Sequence, residues 1–540
     1  MKTIYNCLKK QYTMLSIIAL CAFFASSCTK NFEKYNTDPN KATAAQLQGD
    51  FKNIAGYLPN MQLNIITTVN YNFQVQQNLN ADIFSGYMMA DEPFDGLNND
   101  TYHMRPDWNS TAFDLAYSNI MNNWNQVRVH VAPSQAHFLA VATILKVEGM
   151  HRVTDIYGPL PYSKFATNPF STPYDSQQSI YSSFFNELDT AVNVLTNFVK
   201  ANPGAVPFKP FDLVYGGDYT QWIKFANTLR LRLAMRIVYA DAALAQKEAE
   251  AAVNNSYGLL TVPADDANIN MVNSITYHNP LWSVCYEYFD INMGAPMESI
   301  LTGYKDPRLA AYFVPSTIQP GVYKGIRIGI DIPNASLYST FSLLNLTSST
   351  PIQLMTASEG YFLRAEGALR GWAMGGTAQS FYEQGIQTSF TQHGVSSASY
   401  VNDATSTAAS YIDPNNSANN MSASNVTQKP YLNNITIKWD ATATFEQNLQ
   451  RIITQKWIAC FPEGEEAWSE FRRTGYPKLF PVVTNNSGGT ISTTAFIKRL
   501  PFPSDELTNN PTGVAQGISE LGGPDNGGTR LWWDKNPNVQ

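Results

Sequence analysis

The sequence predicts an all-α-dominated fold in which packed helical hairpins are joined by long loops and decorated by a few short β-hairpins. Apolar residues recur at three- and four-residue steps over many long segments, whereas strand-like runs are few and short. Hydrophobic residues make up 44% of the 540 residues and charged residues 15%. A chain of this length and composition can bury a large core and is not disordered as a whole.

The helical pattern is first clear in the segments 112–131 and 135–152, which Pro133 and Ser134 separate. Because proline interrupts a helix and serine is a favoured N-cap, these segments predict two antiparallel helices. In the helix predicted over 218–239, Arg230 and Arg236 lie largely off the apolar stripe, which indicates a solvated face with local ion pairs. Further helices are predicted over 178–200, 242–254, 445–460 and 463–473.

The segments 358–370 and 378–392 predict two helices separated by a glycine-containing break. Together they span about 35 residues, the length of one helix-turn-helix repeat unit of the tetratricopeptide type. The tetratricopeptide consensus is not matched residue by residue, so the prediction is of tetratricopeptide-like helical hairpins. Strands are predicted only at 323–331, 435–439 and 498–501, and the Ser- and Asn-rich span 395–434 predicts a long surface insertion.

The N-terminal stretch from Lys9 to Cys28 predicts export. A positive flank precedes an apolar run over 15–27, which ends in small residues. This run is shorter than the roughly 20 residues that a membrane-spanning helix needs. The cysteine after the small residues resembles the lipobox of bacterial lipoproteins, although Ala25 stands where the usual lipobox has leucine.

The lipobox resemblance implies a lipoprotein signal peptide over 1–27 and lipidation of Cys28. The mature chain, 28–540, is then a single helical body with an N-terminal tether over about 29–40. The alternative is a plain signal peptide with an incidental cysteine. Cys285 and Cys460 are predicted to be buried thiols, because an exported protein that relied on disulfides would contain more cysteines.

The balance of charge excludes nucleic acid as a partner. The chain has 36 Lys and Arg against 43 Asp and Glu, a formal net charge of -7, and lacks basic runs. A protein that binds nucleic acid usually presents a basic surface.

Six sequence stretches resemble the SusD/RagB family of surface lipoproteins from Bacteroidetes-type bacteria, and they occur in the family's order. They are NFEKYNTDPNKAT at 31–43, RVTDIYGPLPYSK at 152–164, FANTLRLRLAMRI at 225–237, DPRL at 306–309, ITQKWIACFPEGEEAWSEFRRTGYPKL at 453–479 and RLPFPSDEL at 499–507. The resemblance implies a tetratricopeptide-like helical body that is held at the outer membrane by its lipid and faces the cell surface. It also implies binding of an oligosaccharide, or sometimes a peptide, and delivery to a SusC-like TonB-dependent transporter.

Catalysis finds little support in the sequence. The most concentrated acidic residues outside helix ends are Asp82, Asp91, Glu92 and Asp95, in a loop whose composition is equally typical of solvated turns. His151 has Glu148 and Asp155 at helical spacing, but a hydrogen-bonded surface histidine is the preferred interpretation. We therefore expect no catalytic residues, no metal and no cofactor, with a secreted glycoside hydrolase as the alternative.

Two loop-rich clusters combine aromatic residues with polar ones and are the predicted ligand-binding site. Tyrosine and tryptophan offer apolar faces with polar tips, and amides or carboxylates can hydrogen-bond to sugar hydroxyl groups. Packing in the core is the alternative for each of these residues. The candidate residues are Asn99, Asp100, Tyr102 and Trp108 in the first cluster and Asn279, Trp282, Tyr286 and Tyr288 in the second.

The sequence therefore predicts a non-enzymatic surface lipoprotein that binds a nutrient, most naturally an oligosaccharide. A peptide-binding or structural surface lipoprotein is the remaining alternative. The ligand, the transporter and the oligomeric state are left open by the sequence.

Overall fold

A computed structural model of the chain describes residues 51–94, 96–167, 171–272 and 275–539. The predicted signal peptide, Cys28 and the tether lie outside these residues. From Ile54 onward the chain forms one compact unit. Within the described ranges, no helix combines the length and the apolar character that crossing a membrane would require.

Helices dominate the described residues, as the sequence predicted. In the N-terminal part, the π-helical stretch Gln74–Asp82 continues the helix that ends at Phe73. A second π-helical stretch, Ala116–Met121, joins the helix that ends at Leu115 to the helix that begins at Asn122. The helices of this part are α1 Lys52–Ala55, α2 Leu58–Ile65, α3 Asn70–Phe73, α4 Pro106–Asn109, α5 Thr111–Leu115 and α6 Asn122–His130.

The middle of the chain contains the longest helices. Consecutive helices α7 and α8 pack against each other, as do α8 with α9 and α9 with α10, which gives the predicted succession of hairpins. These helices are α7 Ala136–Tyr157, α8 Gln177–Ala201, α9 Tyr219–Arg236 and α10 Ala242–Val253, followed by the shorter α11 Pro280–Ser283, α12 Ala295–Gly303 and α13 Leu309–Tyr312.

The C-terminal part adds the hairpin of α14 and α15 and packs α16 against α14. A Cβ atom at Gly385 would lie 2.7 Å from the ring of Phe362, so only glycine allows α15 to approach α14 this closely. The helices of this part are α14 Ala357–Leu369, α15 Ala378–Gln392, α16 Phe445–Cys460, α17 Gly464–Thr474, α18 Ser504–Asn509 and α19 Pro511–Leu521.

The strands are few and short, as predicted, but they lie elsewhere in the chain. β1 Met88–Ala90 pairs antiparallel with β3 Ile291–Met293, and β2 Ala267–Ile269 pairs antiparallel with β4 Ile352–Met355. The predicted strands at 323–331, 435–439 and 498–501 are loops, apart from an isolated bridge at Ile326. The predicted hairpins are therefore wrong, because each observed strand pairs with a segment far away in the sequence.

The interior contains apolar side chains and, unexpectedly, a network of charges. Leu145, Leu188, Leu229, Phe362 and Ile452 are completely buried, and Cys285 and Cys460 are buried free thiols, as predicted. These side chains come from α7, α8, α9, α14 and α16. One hydrophobic core thus runs through the helical hairpins.

The arginines of α9 take part in that buried charge network. Arg232 donates to the two carboxylate oxygens of Glu359 at 2.8 and 2.7 Å, and Arg236 donates to Glu470 at 2.8 Å and to Asp155 at 3.2 Å. The predicted solvated face of α9 is therefore wrong at Arg236, which is 1% exposed.

The remaining members of the network come from α16 and α17. Lys456 donates to Glu466 at 2.7 Å, and Arg473 donates to Glu470 at 2.6 Å. Because each buried charge has an opposite charge at hydrogen-bonding distance, the network compensates much of the desolvation that burial imposes. It links five helices, α7, α9, α14, α16 and α17.

Candidate aromatic ligand-binding site

The second predicted cluster forms a partly exposed aromatic surface. Trp282 lies at the end of α11, and Tyr286 lies in the π-helical stretch Val284–Tyr288 that continues it. Residues four apart on a helix lie on one face, and the two rings stack with centroids 6.1 Å apart and planes inclined by 26°. Both side chains are half-buried, so part of each ring faces solvent.

Neighbouring contacts hold this ring pair in place. The hydroxyl group of Tyr286 donates a hydrogen bond to the carbonyl oxygen of Leu344. The imidazole ring of His278 packs edge-on against Trp282 at 5.4 Å. The rings are therefore fixed before any ligand arrives, which reduces the ordering that binding would require.

Two further aromatic side chains follow in the sequence and are more exposed. Tyr288 is 41% exposed and Phe289 is 59% exposed. Phe289 has a φ of 60°, a left-handed conformation that a bulky residue rarely adopts. Such conformations cost of order 1–3 kcal/mol and concentrate at ligand-binding sites. Phe289 thus exposes its phenyl ring while its backbone adopts an unfavourable conformation.

Asn279 has a structural role at the start of α11. Its Oδ1 accepts hydrogen bonds from the backbone N–H groups of Leu281 at 3.0 Å and Trp282 at 3.3 Å. Its Nδ2 donates to the carbonyl oxygen of Thr350 at 2.9 Å. Asn279 is thus an N-cap that orients the helix carrying Trp282, and its predicted ligand contact stays a prediction.

The first predicted cluster is mostly interior. Asn99 is fully buried, donates to Asn109 Oδ1 at 2.8 Å and accepts from the backbone N–H of Arg105 at 3.0 Å. Tyr102 is 1% exposed and packs near Phe84. Both side chains stabilise the conformation of the loop, and a ligand contact by either of them stays a prediction.

Asp100, in the same loop, is also buried. Burial raises the pKa of its carboxyl group to about 7. Its Oδ1 has no hydrogen-bond partner among the described residues. A hydrogen bond from a ligand hydroxyl group to Asp100 stays a prediction.

Trp108 is 7% exposed but lines a cavity of about 280 Å³. The guanidinium group of Arg105 lies over its ring at 4.6 Å, and the ring of Phe94 packs edge-on at 5.4 Å. Tyr71, which is 59% exposed, lines the same cavity. Of the first cluster, Trp108 is thus the predicted residue that the structure places at a cavity.

The two clusters meet at α3. Gln74, directly after α3, lines the Trp108 cavity and donates a hydrogen bond to Asp290 Oδ2 at 2.6 Å. Asp290 follows Phe289, and α3 packs against α11. The structure therefore joins Trp108 and Tyr71 to the surface of Trp282, Tyr286, Tyr288 and Phe289. We call these last four residues together with Tyr71 the aromatic face.

Sequence reasoning missed Tyr71 and Phe289 as members of this face. Tyr71 belongs to a segment in which apolar residues alternate with asparagine, and such a pattern does not reveal which ring is exposed. Phe289 fits the apolar side of a continuing helix, but the helix ends at Tyr288 because Phe289 adopts the left-handed conformation. The exposure of both rings follows from tertiary structure.

Of the acidic residues that could serve glycoside hydrolysis, Asp82 and Asp91 are buried and Glu92 is half-buried. Gln77 and Asn78 donate to the carboxylate of Asp82 at 2.9 and 3.0 Å. Burial raises the pKa of Asp91 to about 7, and the neighbouring Glu92 and Asp290 add to this shift. A glycosidase acid pair has to face its substrate, whereas Asp82 and Asp91 are both buried. Asp95 lies outside the described residues.

His151 is buried in α7, so its expected surface position is wrong. Its Nδ1 lies 3.3 Å from the carbonyl oxygen of Val147, and burial keeps the pKa of the imidazole well below its usual value. Across the described ranges, no group of three or more His, Cys, Asp and Glu residues is arranged to hold a metal ion.

Comparison with known proteins agrees with this architecture. The SusD-like family, SusD and RagB outer membrane lipoproteins, matches residues 34–534. A chitin-binding SusD homologue from Flavobacterium johnsoniae is 50% identical, with 89% of this chain and 98% of that chain covered and a TM-score of 0.85.

Two Bacteroides structures show the same similarity. A SusD homologue from Bacteroides vulgatus is 38% identical, with 91% of this chain and 100% of that chain covered and a TM-score of 0.85. A SusD homologue from Bacteroides uniformis is 37% identical, with 89% and 99% covered and a TM-score of 0.82. Among curated proteins, none matches the chain. The family match spans nearly the whole chain, and the chain therefore belongs to the SusD-like family of outer-membrane lipoproteins.

Proposed function

We propose that this protein is a non-enzymatic surface lipoprotein that binds an oligosaccharide on the aromatic face. The stacked, half-buried pair of Trp282 and Tyr286 carries the proposal, with Tyr288 and Phe289 exposed beside it. The C–H faces of pyranose rings pack well on flat aromatic rings, and exposed polar groups around them can hydrogen-bond to sugar hydroxyl groups. His278 and Glu287, both partly exposed, supply such groups at the edge of the face.

An oligosaccharide of acetamido sugars is the first ligand to test. The Flavobacterium johnsoniae homologue at 50% identity is a chitin-binding protein, and chitin is a polymer of N-acetylglucosamine. A linear chain of neutral sugars suits a surface on which several aromatic rings follow one another. The similarity supports the class of ligand and leaves its length and linkage to experiment.

The anchor and the partner complete the proposal. The signal peptide over 1–27 is removed, Cys28 becomes lipidated, and the tether over about 29–40 joins the single body to the outer membrane. At the cell surface, the body delivers its oligosaccharide to a SusC-like TonB-dependent transporter. Membership of an outer-membrane lipoprotein family supports this arrangement. Cross-linking of the lipidated protein in native membranes should yield an adduct with such a transporter.

Calorimetric titration of the soluble body with chitin oligosaccharides, cello-oligosaccharides and peptides tests the proposal. We expect saturable binding of a glycan, and Trp282→Ala should weaken it by at least about tenfold, because an anchoring ring of an interface typically contributes more than 1.4 kcal/mol. Trp439→Ala is the matched control, since Trp439 is a half-buried tryptophan that packs against Tyr382 of α15.

Two outcomes would contradict the proposal. Binding of peptides alone would favour the peptide-binding alternative. Release of shorter sugars in a product assay, lost when Asp91 or Glu92 is replaced by its amide, would instead identify a hydrolase.

A further inference from the structure

A second cavity is lined by Phe73 of α3, the helix whose Tyr71 lines the Trp108 cavity. It has a volume of about 330 Å³, at the lower end of the range typical of ligand pockets. Its apolar wall is formed by Ile66, Phe73, Leu281, Leu344, Ile352 and Phe461. A cavity of this size and lining suits one small ligand with an apolar side.

Gln392 and His393 line this cavity, and each carries a buried side-chain atom without a partner among the described residues. Gln392 donates from Nε2 to Gln353 Oε1 at 3.0 Å, and Gln353 donates to the carbonyl oxygen of Cys460 at 3.1 Å. Gln392 Oε1 and His393 Nε2, however, are buried and have no hydrogen-bond partner among the described residues. A buried polar atom without a partner destabilises the protein, and a ligand with hydrogen-bonding groups would relieve this cost.

The charges around the cavity indicate a neutral ligand. Among the described residues that line it, the charged side chain is Glu463. Its carboxylate already accepts from the guanidinium group of Arg152 and from the backbone N–H of Glu465. Burial lowers the pKa of His393 to about 4, so its imidazole is neutral at pH 7. The lining thus offers neither a free cation for an anionic ligand nor a free carboxylate for a cationic one.

The cavity adjoins the aromatic face through shared segments. Leu281 of α11 lines the cavity, and the next residue, Trp282, belongs to the aromatic face. Leu346 and Asn345 lie at the cavity and are partly or largely exposed, so the cavity opens to solvent. The preceding residue, Leu344, accepts the hydrogen bond from Tyr286.

We propose that this cavity is a second binding site, which takes a single neutral acetamido sugar unit. Its N–H and hydroxyl groups would donate to Gln392 Oε1 and pair with His393 Nε2, and its methyl group and C–H face would pack on the apolar wall. The choice of an acetamido sugar rests on the proposed function, whereas the preference for a small neutral ligand rests on the lining alone.

Titration of the whole protein with N-acetylglucosamine, followed by NMR up to tens of millimolar, tests this site. His393→Phe keeps a ring packed against Tyr312 and removes Nε2, so the apparent Kd should rise about fivefold to tenfold. Leu346 is partly exposed at the opening of the cavity, so Leu346→Trp should fill that opening and abolish the binding of N-acetylglucosamine. His130→Phe, an exposed histidine at the end of α6, is the matched control. Glucosamine, whose amine is charged, should bind more weakly than N-acetylglucosamine.

The outcomes separate this site from the aromatic face. Trp282→Ala should weaken the oligosaccharide and leave N-acetylglucosamine unchanged. Equal binding of N-acetylglucosamine by the wild type and Leu346→Trp, or no binding by the wild type, would overturn the cavity assignment. If Trp282→Ala still weakens oligosaccharide binding in that case, the proposed function stands. If the wild type binds no glycan of any length, the proposed function fails too.

Discussion

Arg473 donates two hydrogen bonds to the carboxylate of Glu366, at 2.7 and 2.6 Å, and both side chains are completely or almost completely buried. The pair joins α17 to α14. Burial alone would raise the pKa of Glu366, but the charges of Arg473 and Arg370 outweigh it and hold the pKa below its usual value. The two-point geometry suits the planar guanidinium group and would not be reproduced by lysine.

Breaking this pair should destabilise the protein strongly. Glu366→Ala leaves the guanidinium group of Arg473 buried with Glu470 as its remaining carboxylate partner, and removing one partner of a buried pair typically costs about 3–5 kcal/mol. Urea unfolding should show a much lower midpoint for this variant. Lys247→Ala, which removes a largely exposed partner of Glu248, should change the midpoint little. Equal midpoints for the two variants would show that the buried pair contributes no more than a surface pair.

Acid should weaken the buried network through Glu470. Burial favours the neutral form, but Arg473, Lys456 and Arg236 hold the pKa of Glu470 at about 2. A carboxyl group whose pKa is lowered by folding stabilises the protein above its unfolded pKa of about 4.5 and loses this contribution as the pH falls towards 2. The stability difference between wild type and Glu470→Gln should therefore shrink between pH 5 and pH 2.5 in urea unfolding. A constant difference would contradict this assignment.

Glu148 should show the opposite dependence on pH. Burial raises its pKa to about 8, despite the nearby Arg232 and Arg152. The folded protein therefore holds a proton that the unfolded chain releases, and stability falls as the pH rises from about 4.5 through 8. Glu148→Gln keeps the shape of the protonated acid and should gain stability relative to the wild type from pH 5 to pH 8. If Glu148→Gln instead became less stable than the wild type over that pH range, Glu148 would be ionised in the folded state.

Phe289 allows the ring and the backbone to be tested separately. Its φ of 60° suits glycine, whereas alanine retains most of the strain. Phe289→Gly should therefore be about 1 kcal/mol more stable than Phe289→Ala in thermal or urea unfolding. Both variants lack the ring and should bind the oligosaccharide with similarly reduced affinity. Recovery of affinity in the glycine variant would mean that the ring does not contact the ligand.

Cys28 is the proposed anchor. Cys28→Ala should release the protein from the membrane fraction, since the lipid would supply the attachment to the outer membrane. Fractionation of cells that express the wild type or the variant measures this directly. Replacing Cys285 with alanine controls for the loss of a cysteine that is buried in the body. An unchanged membrane fraction for Cys28→Ala would refute lipidation at this position.

Helices with clear caps could be predicted closely from the sequence. The predicted segments 378–392 and 445–460 coincide with α15 and α16, which begin after the capping threonines Thr377 and Thr444. The strands could not be predicted, because Met88 pairs with Met293 and neither segment contains a signal for the other. The buried position of Arg236 could not be predicted either, because its partner Glu470 lies 234 residues later in the sequence.

The aromatic face shows the same limit. Trp282 and Tyr286 could be identified, because their four-residue spacing and their position near a proline-containing loop are local features. Asn99 and Tyr102 have an equally suitable composition but turn inward, and only the packing of the finished loop decides between the two outcomes. Phe289 became part of the face through a single backbone conformation.

The charge network also ties the middle of the chain to its C-terminal part. Arg236 needs Glu466 and Glu470, which follow it by 230 and 234 residues. Before α17 is synthesised, closing the core around α9 would bury the charge of Arg236 with Asp155 as its remaining carboxylate partner. The charges of Arg236 are therefore fully compensated only when α17, near the C-terminal end of the chain, packs against α9.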